Sequence, residues 1–355
     1  MKIALVLSAN IKLNPYIEIF RKELDMMGVD YDVISWDRES LDENDGFVCK
    51  YPAPCTRGKL RKMVDYYVFS CFAKKVIKRN KYDKLIVFGA AIAVFMYDFL
   101  NKHYRNRFWF DYRDLTIEQR FMSRFKKVCD ISSYISISSP GFKKAFPANY
   151  DFILSHNFDI NEVREAVANK IVAPKPNMND IIISTIGGIR DYDANKEVIE
   201  SLKNRGDFHL KFIGKGPSAG PLADYVKINN IRNVDFQGFY LKADEWRFYQ
   251  QTDMVNIYYP RINSHETALS NRFYKSMIFR KPMIVTNRST QGDYVEKYNL
   301  GLAIEDCSEL VSQIQEYMSN FSNEDFVEKC NNLLSEFVKD YDRFQEKLIK
   351  FLKDE

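Results

Sequence analysis

Short runs of β-branched and other apolar residues alternate with helical patterns along the chain, and this rhythm constrains the fold more than any other feature. KIALVLS, VDYDVIS, DKLIVFG, RFWFDY, SYISIS and YDFILS are spaced as βαβ units require; DIIISTIG, FHLKFIG, NVDFQG, DMVNIY, KPMIVT and LGLAI then restart the pattern. Strands that are apolar at nearly every position must be covered on both faces, which in a βα alternation means parallel sheets between layers of helices. At 355 residues there is room for two such domains, each with its own core. Between the two series lies NKIVAPKPNMND, residues 169–180, with two prolines and little periodicity. The expected division is therefore a first domain over 1–168 and a second over 169–322. Residues 323–355 read as one or two long amphipathic helices that pack back on the first domain.

Several classes are disfavoured by composition. No stretch reaches the 18 or so uninterrupted apolar residues of a membrane span, and the opening MKIALVLSANIKLN is too short for a secretory signal, so it reads as a first buried strand. Six cysteines (Cys49, Cys55, Cys71, Cys129, Cys307, Cys330) stand far apart without a C-x-x-C pair, which points to reduced thiols and a cytoplasmic location. His103, His156, His209 and His265 show no metal-ligand spacing, so no metal and no cofactor are expected. The net charge of +4 conceals an asymmetry: residues 1–160 hold 26 Lys and Arg against 19 Asp and Glu, whereas 161–355 hold 26 against 29.

Open parallel sheets bind ligands beyond the carboxyl ends of their strands. Ile186-Gly187-Gly188-Ile189-Arg190 follows the strand IIIST and precedes a helix expected over about 193–204. Two glycines let a backbone approach a ligand closely, the helix amino end favours phosphate, and Arg190 and Lys196 supply a fork and a point charge for a diphosphate. The bland alternative is a tight turn with surface cations. Phe212-Ile213-Gly214-Lys215-Gly216-Pro217 has the look of a dinucleotide fingerprint, but its spacing and mid-chain position make a nicotinamide enzyme a poor fit. A third segment runs from Tyr258 to Asp293. It holds a polar loop at 260–267, a helix beginning at Asn271, Arg280-Lys281-Pro282, and the loop Thr290-Gln291-Gly292-Asp293. Polar side chains at a helix amino end suit a sugar and its phosphates; the alternative is a capped core helix with Phe273 and Met277 turned inward.

GGIRDYDANKEVIESL, FHLKFIGKGP, NVDFQGFY, TDMVNIYYP, SNRFYKSMIFRKPMIVT and VEKYNLGLAI follow one another in an order that resembles the nucleotide-sugar-binding domain of GT-B-fold glycosyltransferases of the large retaining, metal-independent group. The likeness spans roughly 180–320. Asp111-Tyr112-Arg113-Asp114-Leu115 resembles the D-x-R-D-x-W segment of bacterial members that build surface polysaccharides. The resemblance implies an α/β, GT-B architecture: two Rossmann-like, doubly wound parallel-sheet domains facing each other across a cleft. It implies a glycosyltransferase of capsule, O-antigen or exopolysaccharide synthesis, using a UDP- or GDP-sugar and a glycan or lipid-linked acceptor.

Carried over residue by residue, the resemblance assigns the diphosphate to Arg190 and Lys196, at Gly187 and Gly188. The surroundings of Gly216, Gly238 and Phe239 fall to the nucleobase, and His265, Glu266, Thr267, Ser270 and Asn271 to the donor sugar and phosphates. Asn10, Asp111 and Arg113 fall to the acceptor. Similar enzymes carry a ribose-binding glutamate where this chain has Lys275, and an ammonium only donates hydrogen bonds. Either Lys275 turns to a phosphate, another residue such as Glu266 takes the ribose, or the site has decayed. The first loop reads Ser8-Ala9-Asn10 where a Gly-Gly is common. Sugar transfer develops oxocarbenium character and a negative leaving group. Arg190, Lys196 and helix amino ends suit that charge, and Asp114 either takes the acceptor proton or caps a helix beginning near Thr116.

Residues 57–84 carry ten Lys and Arg against Asp65 and Asp83, around an aromatic run. Lys59, Arg61 and Lys62 at a helix start oppose the helix dipole, which an anionic membrane surface would explain; a solvated helix is the alternative. A second basic run lies between Lys102 and Lys127. Nucleic acid is not expected, since no recognition motif accompanies these cations. The expectation is a cytoplasmic enzyme attached peripherally to the inner face of the plasma membrane. Two rivals remain: an inactive scaffold with a glycosyltransferase-like fold, and a GT-B sugar epimerase.

Overall fold

The computed structural model describes residues 1–54, 57–116, 118–169 and 177–354. Cys55, the side chain of Lys59 and most of the proline-bearing stretch at 169–180 lie outside them. The chain forms two compact units, one of Met1–Asn157 with Asp340–Glu355, the other of Phe158–Lys339.

The first unit is built on seven parallel strands: β1 (Lys2–Leu7), β2 (Asp30–Trp36), β3 (Phe47–Cys49), β4 (Lys84–Phe88), β5 (Phe108–Tyr112), β6 (Tyr134–Ile137) and β7 (Phe152–Leu154), in the order 3-2-1-4-5-6-7. Central β1 sets Leu5 opposite Val33 on one side and Ile86 on the other. Because helices cover both faces, Ile3 to Leu7 are all buried. Phe20 of the helix Ile17–Met26, Trp109 of β5 and Phe344 meet edge to face. Phe344 belongs to a single helix, Asn323–Lys353, whose last turns are part of this unit. There Tyr341 donates to Glu23, Gln345 donates to the same carboxylate at 2.8 Å, and the Lys84 ammonium donates to the carbonyls of Phe351 and Asp354.

The second unit has six parallel strands: β8 (Ile181–Ile186), β9 (Phe208–Ile213), β10 (Val234–Gln237), β11 (Met254–Ile257), β12 (Met283–Thr286) and β13 (Gly301–Ile304), in the order 10-9-8-11-12-13. One apolar cluster gathers Val198, Leu222 and Leu310; another gathers Phe273, Met277 and Leu333. The units divide at Asn157, earlier than the expected boundary near 169, because the helix Ile160–Ala168 packs with the second cluster through Val163 and Ala166. Arg280, completely buried, ties it there: its guanidinium donates to the carbonyls of Ala166 and Met277 and to Asn331. Strand order reverses between β1 and β4 in the first sheet and between β8 and β11 in the second. Those reversals open crevices at the carboxyl ends of the strands.

Candidate functional site

The loop after β8 lies at the second reversal. Gly187 adopts φ +101 and Asp191 adopts φ +58, both in the left-handed region, the latter just before the helix Tyr192–Leu202. Asp191 makes no side-chain cap there, so the first-turn N–H groups are not closed off by it. Gly214 and Gly216, in the loop after β9, serve a different purpose from phosphate approach. A Cβ on Gly214 would stand 2.0 Å from the Gly187 oxygen, and one on Gly216 would stand 2.1 Å from the Ile189 oxygen. The two loops interlock through Gly187 N–H to Ile213 O at 2.8 Å and Ile189 N–H to Lys215 O at 3.0 Å. The G-x-G segment thus shapes the glycine turn by letting one backbone rest on another.

Three polar residues that sequence reasoning did not single out hold the turn from beneath. Arg272, 8% exposed, donates through Nε to Ile186 O, through Nη2 to Gly188 O at 2.6 Å and through Nη1 to the Tyr259 hydroxyl at 3.2 Å. Asn195 donates to the carbonyls of Arg190 and Asp191, and Asn256 of β11 donates to Asn195 and Thr185. Arg190 is exposed, and no side-chain partner of it is present among the described residues. Lys196 is turned onto the Tyr225 ring at 4.6 Å, so the two expected diphosphate cations are engaged differently.

The loop after β11 is a short helix, Asn263–Thr267, where an irregular loop was expected. It sets His265 flat against Tyr259, with ring centroids 4.9 Å apart, and places Nε2 3.4 Å from the Asp191 carboxylate. Thr267 Oγ1 is spent on Asn263 O, and the Glu266 carbonyl accepts from Thr290. Ser270 caps the helix Asn271–Ile278 by accepting from Phe273 N–H, and it donates to Gln291, a structural use of a predicted ligand. Asn271 is exposed at that helix start. Gly238 faces open space and Phe239 is 67% exposed, with the Lys215 ammonium over its ring.

Lys275 lies 2.5 Å from Glu162 Oε2 and 3.6 Å from Glu245 Oε2. Tyr240 donates to Glu245 Oε1 at 2.9 Å, and its hydroxyl stands 3.9 Å from where a Cβ on Gly187 would be. Burial, with Glu245 adding to it, pushes the Tyr240 phenol well above its ordinary pKa. Lys275 therefore sits between two carboxylates, one of them held by the tyrosine whose hydroxyl borders the glycine turn.

In the first unit, Asn10 is buried and its side chain is consumed internally, donating to Asp37 at 2.7 Å and accepting from Glu39 N–H at 3.1 Å. Asp111, one residue before the end of β5, is fully buried and accepts from Arg113 Nε at 2.6 Å and from Ser136 and Ser155. Arg113 lies over the Tyr16 ring, 4.7 Å away, and its buried Nη1 has no partner. Asp114 is exposed just beyond. The α-helix that follows begins only at Met122, so Asp114 does not cap it. Nearby, buried His156 has its pKa lowered by desolvation, against the pull of Asp340 at 3.1 Å.

The basic helix spans Lys59–Asn80. Of the cations around its start, Arg57, just before the helix, and Arg61 of its first turn converge on buried Asp65 at 3.0 and 3.5 Å. Leu60, Val64 and Tyr67 make an exposed apolar stripe on the same helix, 82%, 48% and 58% accessible. Among the described residues no helix is long and apolar enough to cross a membrane.

No model of a known protein family matches the sequence, and no curated protein sequence does. Solved structures do. The chain is similar to sucrose-phosphate synthase from Thermosynechococcus elongatus (12% identical, 99% of each chain covered, TM-score 0.72). It is also similar to HepE from Anabaena in complex with UDP-glucose (13%, 99% of this chain and 100% of that one, TM-score 0.67) and to the apo lipopolysaccharide outer core galactosyltransferase WaaB (14%, 96% and 98%, TM-score 0.65). At such identities the likeness is one of fold. The α/β fold with two parallel sheets is that of GT-B glycosyltransferases.

Proposed function

We propose that this chain is a glycosyltransferase that moves one sugar from a UDP- or GDP-sugar to a hydroxyl of a lipid-linked glycan in surface-polysaccharide synthesis, with retention and without a metal. The observation that carries the reading is the Gly187–Gly188 turn at the strand-order reversal, with exposed Arg190 and the His265–Asp191 pair beside it. A positive-φ glycine turn lets a ligand come close to the backbone even though the Gly187 and Ile189 N–H groups are given to Ile213 O and Lys215 O, and Arg190 offers a planar fork with no internal commitment. Proteins of the same fold have been seen with UDP-glucose bound.

Chemically, the bond from the anomeric carbon to the diphosphate lengthens as charge collects on the leaving oxygens. Arg190 and the uncapped first turn of Tyr192–Leu202 stabilise that charge. His265, fixed by stacking on Tyr259, is a polar contact for the donor. Lys196, drawn to Tyr225, acts at longer range. In the first unit, Asp114 orients the acceptor hydroxyl or receives its proton, while Asp111 and Arg113 form the buried floor beneath it. The exposed stripe Leu60, Val64 and Tyr67, with Arg61, Lys75 and Lys78 on the same helix, supports peripheral attachment to an anionic membrane, where a lipid-linked acceptor would be met.

The test is thermal stabilisation of the purified protein by UDP, GDP and their common sugar conjugates, with Arg190→Ala alongside. A ligand at a hundred times its Kd raises stability by about 2.7 kcal/mol. Stabilisation of the wild type that is lost in the variant is the expected result. A folded protein that none of these ligands stabilises would overturn the reading in favour of a scaffold.

A further inference from the structure

Among the described residues β13 pairs with β12 alone, so its other side is an open sheet edge. The Leu300 and Ile304 carbonyls accept from Met283 N–H at 3.0 Å and Asn287 N–H at 2.9 Å. Backbone groups alternate along a strand, so the Ala303 N–H and carbonyl point off that edge. Just beyond, the chain passes from one apolar cluster, which holds Ile314 and Met318 of the helix Leu310–Ser319, to the other, which holds Phe326 of the helix Asn323–Lys353. The passage leaves a cavity of about 360 Å³ against β13, the size of a small-molecule site. Its walls lie wholly within the second unit, and β11 and β12 stand between β13 and the strand that carries the glycine turn.

The wall contains Glu316 and Asp325 but no Lys, Arg or His. Asp325 is paired with Lys329 at 2.5 Å, whereas exposed Glu316 enters no ion pair among the described residues. Three rings share the wall and form a corner: Tyr317 and Phe321 have centroids 6.0 Å apart and planes inclined by 47°, Phe321 and Phe326 5.2 Å and 49°. Aromatic faces attract cations, most strongly where water is partly excluded. Burial raises the pKa of the Tyr317 phenol, which donates to Asn299 O at 3.3 Å, so this ring stays neutral and in place. Gln313 adds an amide whose Oε1 is buried without a partner, and turning that amide to a ligand gives up no hydrogen bond of its oxygen. Ring faces, an unpaired carboxylate and free acceptors together ask for a positive group that carries N–H donors. We infer that this cavity binds a primary alkylammonium ion, its charge against the ring corner and Glu316 and its N–H groups on Gln313 and the Ala303 carbonyl. It is a second ligand site, independent of the nucleotide-sugar reading. A quaternary cation would leave the acceptors unmet, and an anion would meet two carboxylates without a counter-charge.

The experiment is calorimetric titration of the full chain at low salt with 1,4-diaminobutane and with 1,4-butanediol, a neutral molecule of the same length. The wild type is expected to bind the diamine saturably and the diol about tenfold more weakly or worse. Glu316→Gln keeps the shape of an exposed side chain and removes its charge; it is expected to weaken the diamine about fivefold or more with an unchanged unfolding midpoint. Phe321→Leu, which opens the ring corner, is expected to weaken the diamine on the same scale and to leave the weak diol affinity as it was. Arg190→Ala, at the glycine turn, is expected to bind the diamine as the wild type does. Equal affinity for diamine and diol overturns the inference, as does undiminished diamine binding in Glu316→Gln, which would mean attachment elsewhere on the surface. Loss of diamine binding in Arg190→Ala would place the cation at the glycine turn and overturn it too. None of these outcomes depends on whether a nucleotide binds.

Discussion

Nη2 of Arg272 donates to the Gly188 carbonyl oxygen at 2.6 Å while Nε of the same guanidinium takes the Ile186 carbonyl, so one buried cation grips both ends of the glycine turn. Removing it leaves two carbonyls without that donor. Arg272→Ala is expected to cost about 2–4 kcal/mol in urea unfolding and to abolish nucleotide binding. Arg272→Lys should recover only part of either, because one ammonium cannot span both carbonyls and the Tyr259 hydroxyl.

Arg190 presents the opposite case. Exposed and without an internal partner, it contributes little to folding, so Arg190→Ala should leave the unfolding midpoint within experimental scatter. UDP affinity should fall about tenfold or more, read by titration. Equal binding by wild type and variant would remove Arg190 from the diphosphate.

Two glycines separate shape from contact. Gly214→Ala forces a Cβ toward the Gly187 oxygen at a φ of +133, and a cost of about 2–4 kcal/mol is expected, together with loss of nucleotide binding. Gly238 has no atom within 4 Å of its Cβ position and no unusual φ. Gly238→Ala should change stability by no more than about 0.5 kcal/mol. Equal stability of the two variants by circular dichroism would contradict the interlocked loops.

His156 gives a dependence on acid. Burial holds its folded pKa below the ordinary value near 6.5, and Asp340 offsets this only in part. Below about pH 6.5 the unfolded chain binds a proton that the folded one resists, so stability falls as pH falls, by at most about 1.4 kcal/mol per pH unit. His156→Gln should flatten the slope of unfolding free energy between about pH 7 and 5. An unchanged slope would mean that the imidazole charges freely in the folded state.

The exposed stripe on Lys59–Asn80 predicts flotation with anionic vesicles at low salt. Replacing both Leu60 and Tyr67 by aspartate should abolish flotation while leaving thermal stability nearly unchanged, since both side chains are more than half exposed. Failure of the wild type to float would confine these residues to solvent or to another partner.

How much of this could be read without coordinates depends on the range of the interactions involved. Strands such as Ile181–Ile186 and Lys84–Phe88 announce themselves through local apolar runs. Phe47–Cys49 does not, because three residues at a sheet edge are too few to display a period. The glycine turn was legible as a motif, since a glycine pair after a strand is a local signal. Its supports were not. Arg272 reaches carbonyls 84 and 86 positions away, and Lys275 finds Glu162 113 positions away. Backbone acceptors leave no residue-type signature at all. The proline-rich division misled for a related reason: what assigns Ile160–Ala168 to the second unit is packing of Val163 and Ala166, together with a buried Arg280 far downstream.

The helix Asn323–Lys353 lends its early turns to one core and its closing turns, from Asp340 onward, to the other. During synthesis, the unit whose strands emerge first must therefore wait for residues that emerge after the whole of the second unit. Trp109 and Phe20 remain without Phe344, and Glu23 without Tyr341, until the ribosome has delivered that helix. The second unit, from Phe158 to Lys339, has no such debt and can close while the earlier one is still incomplete.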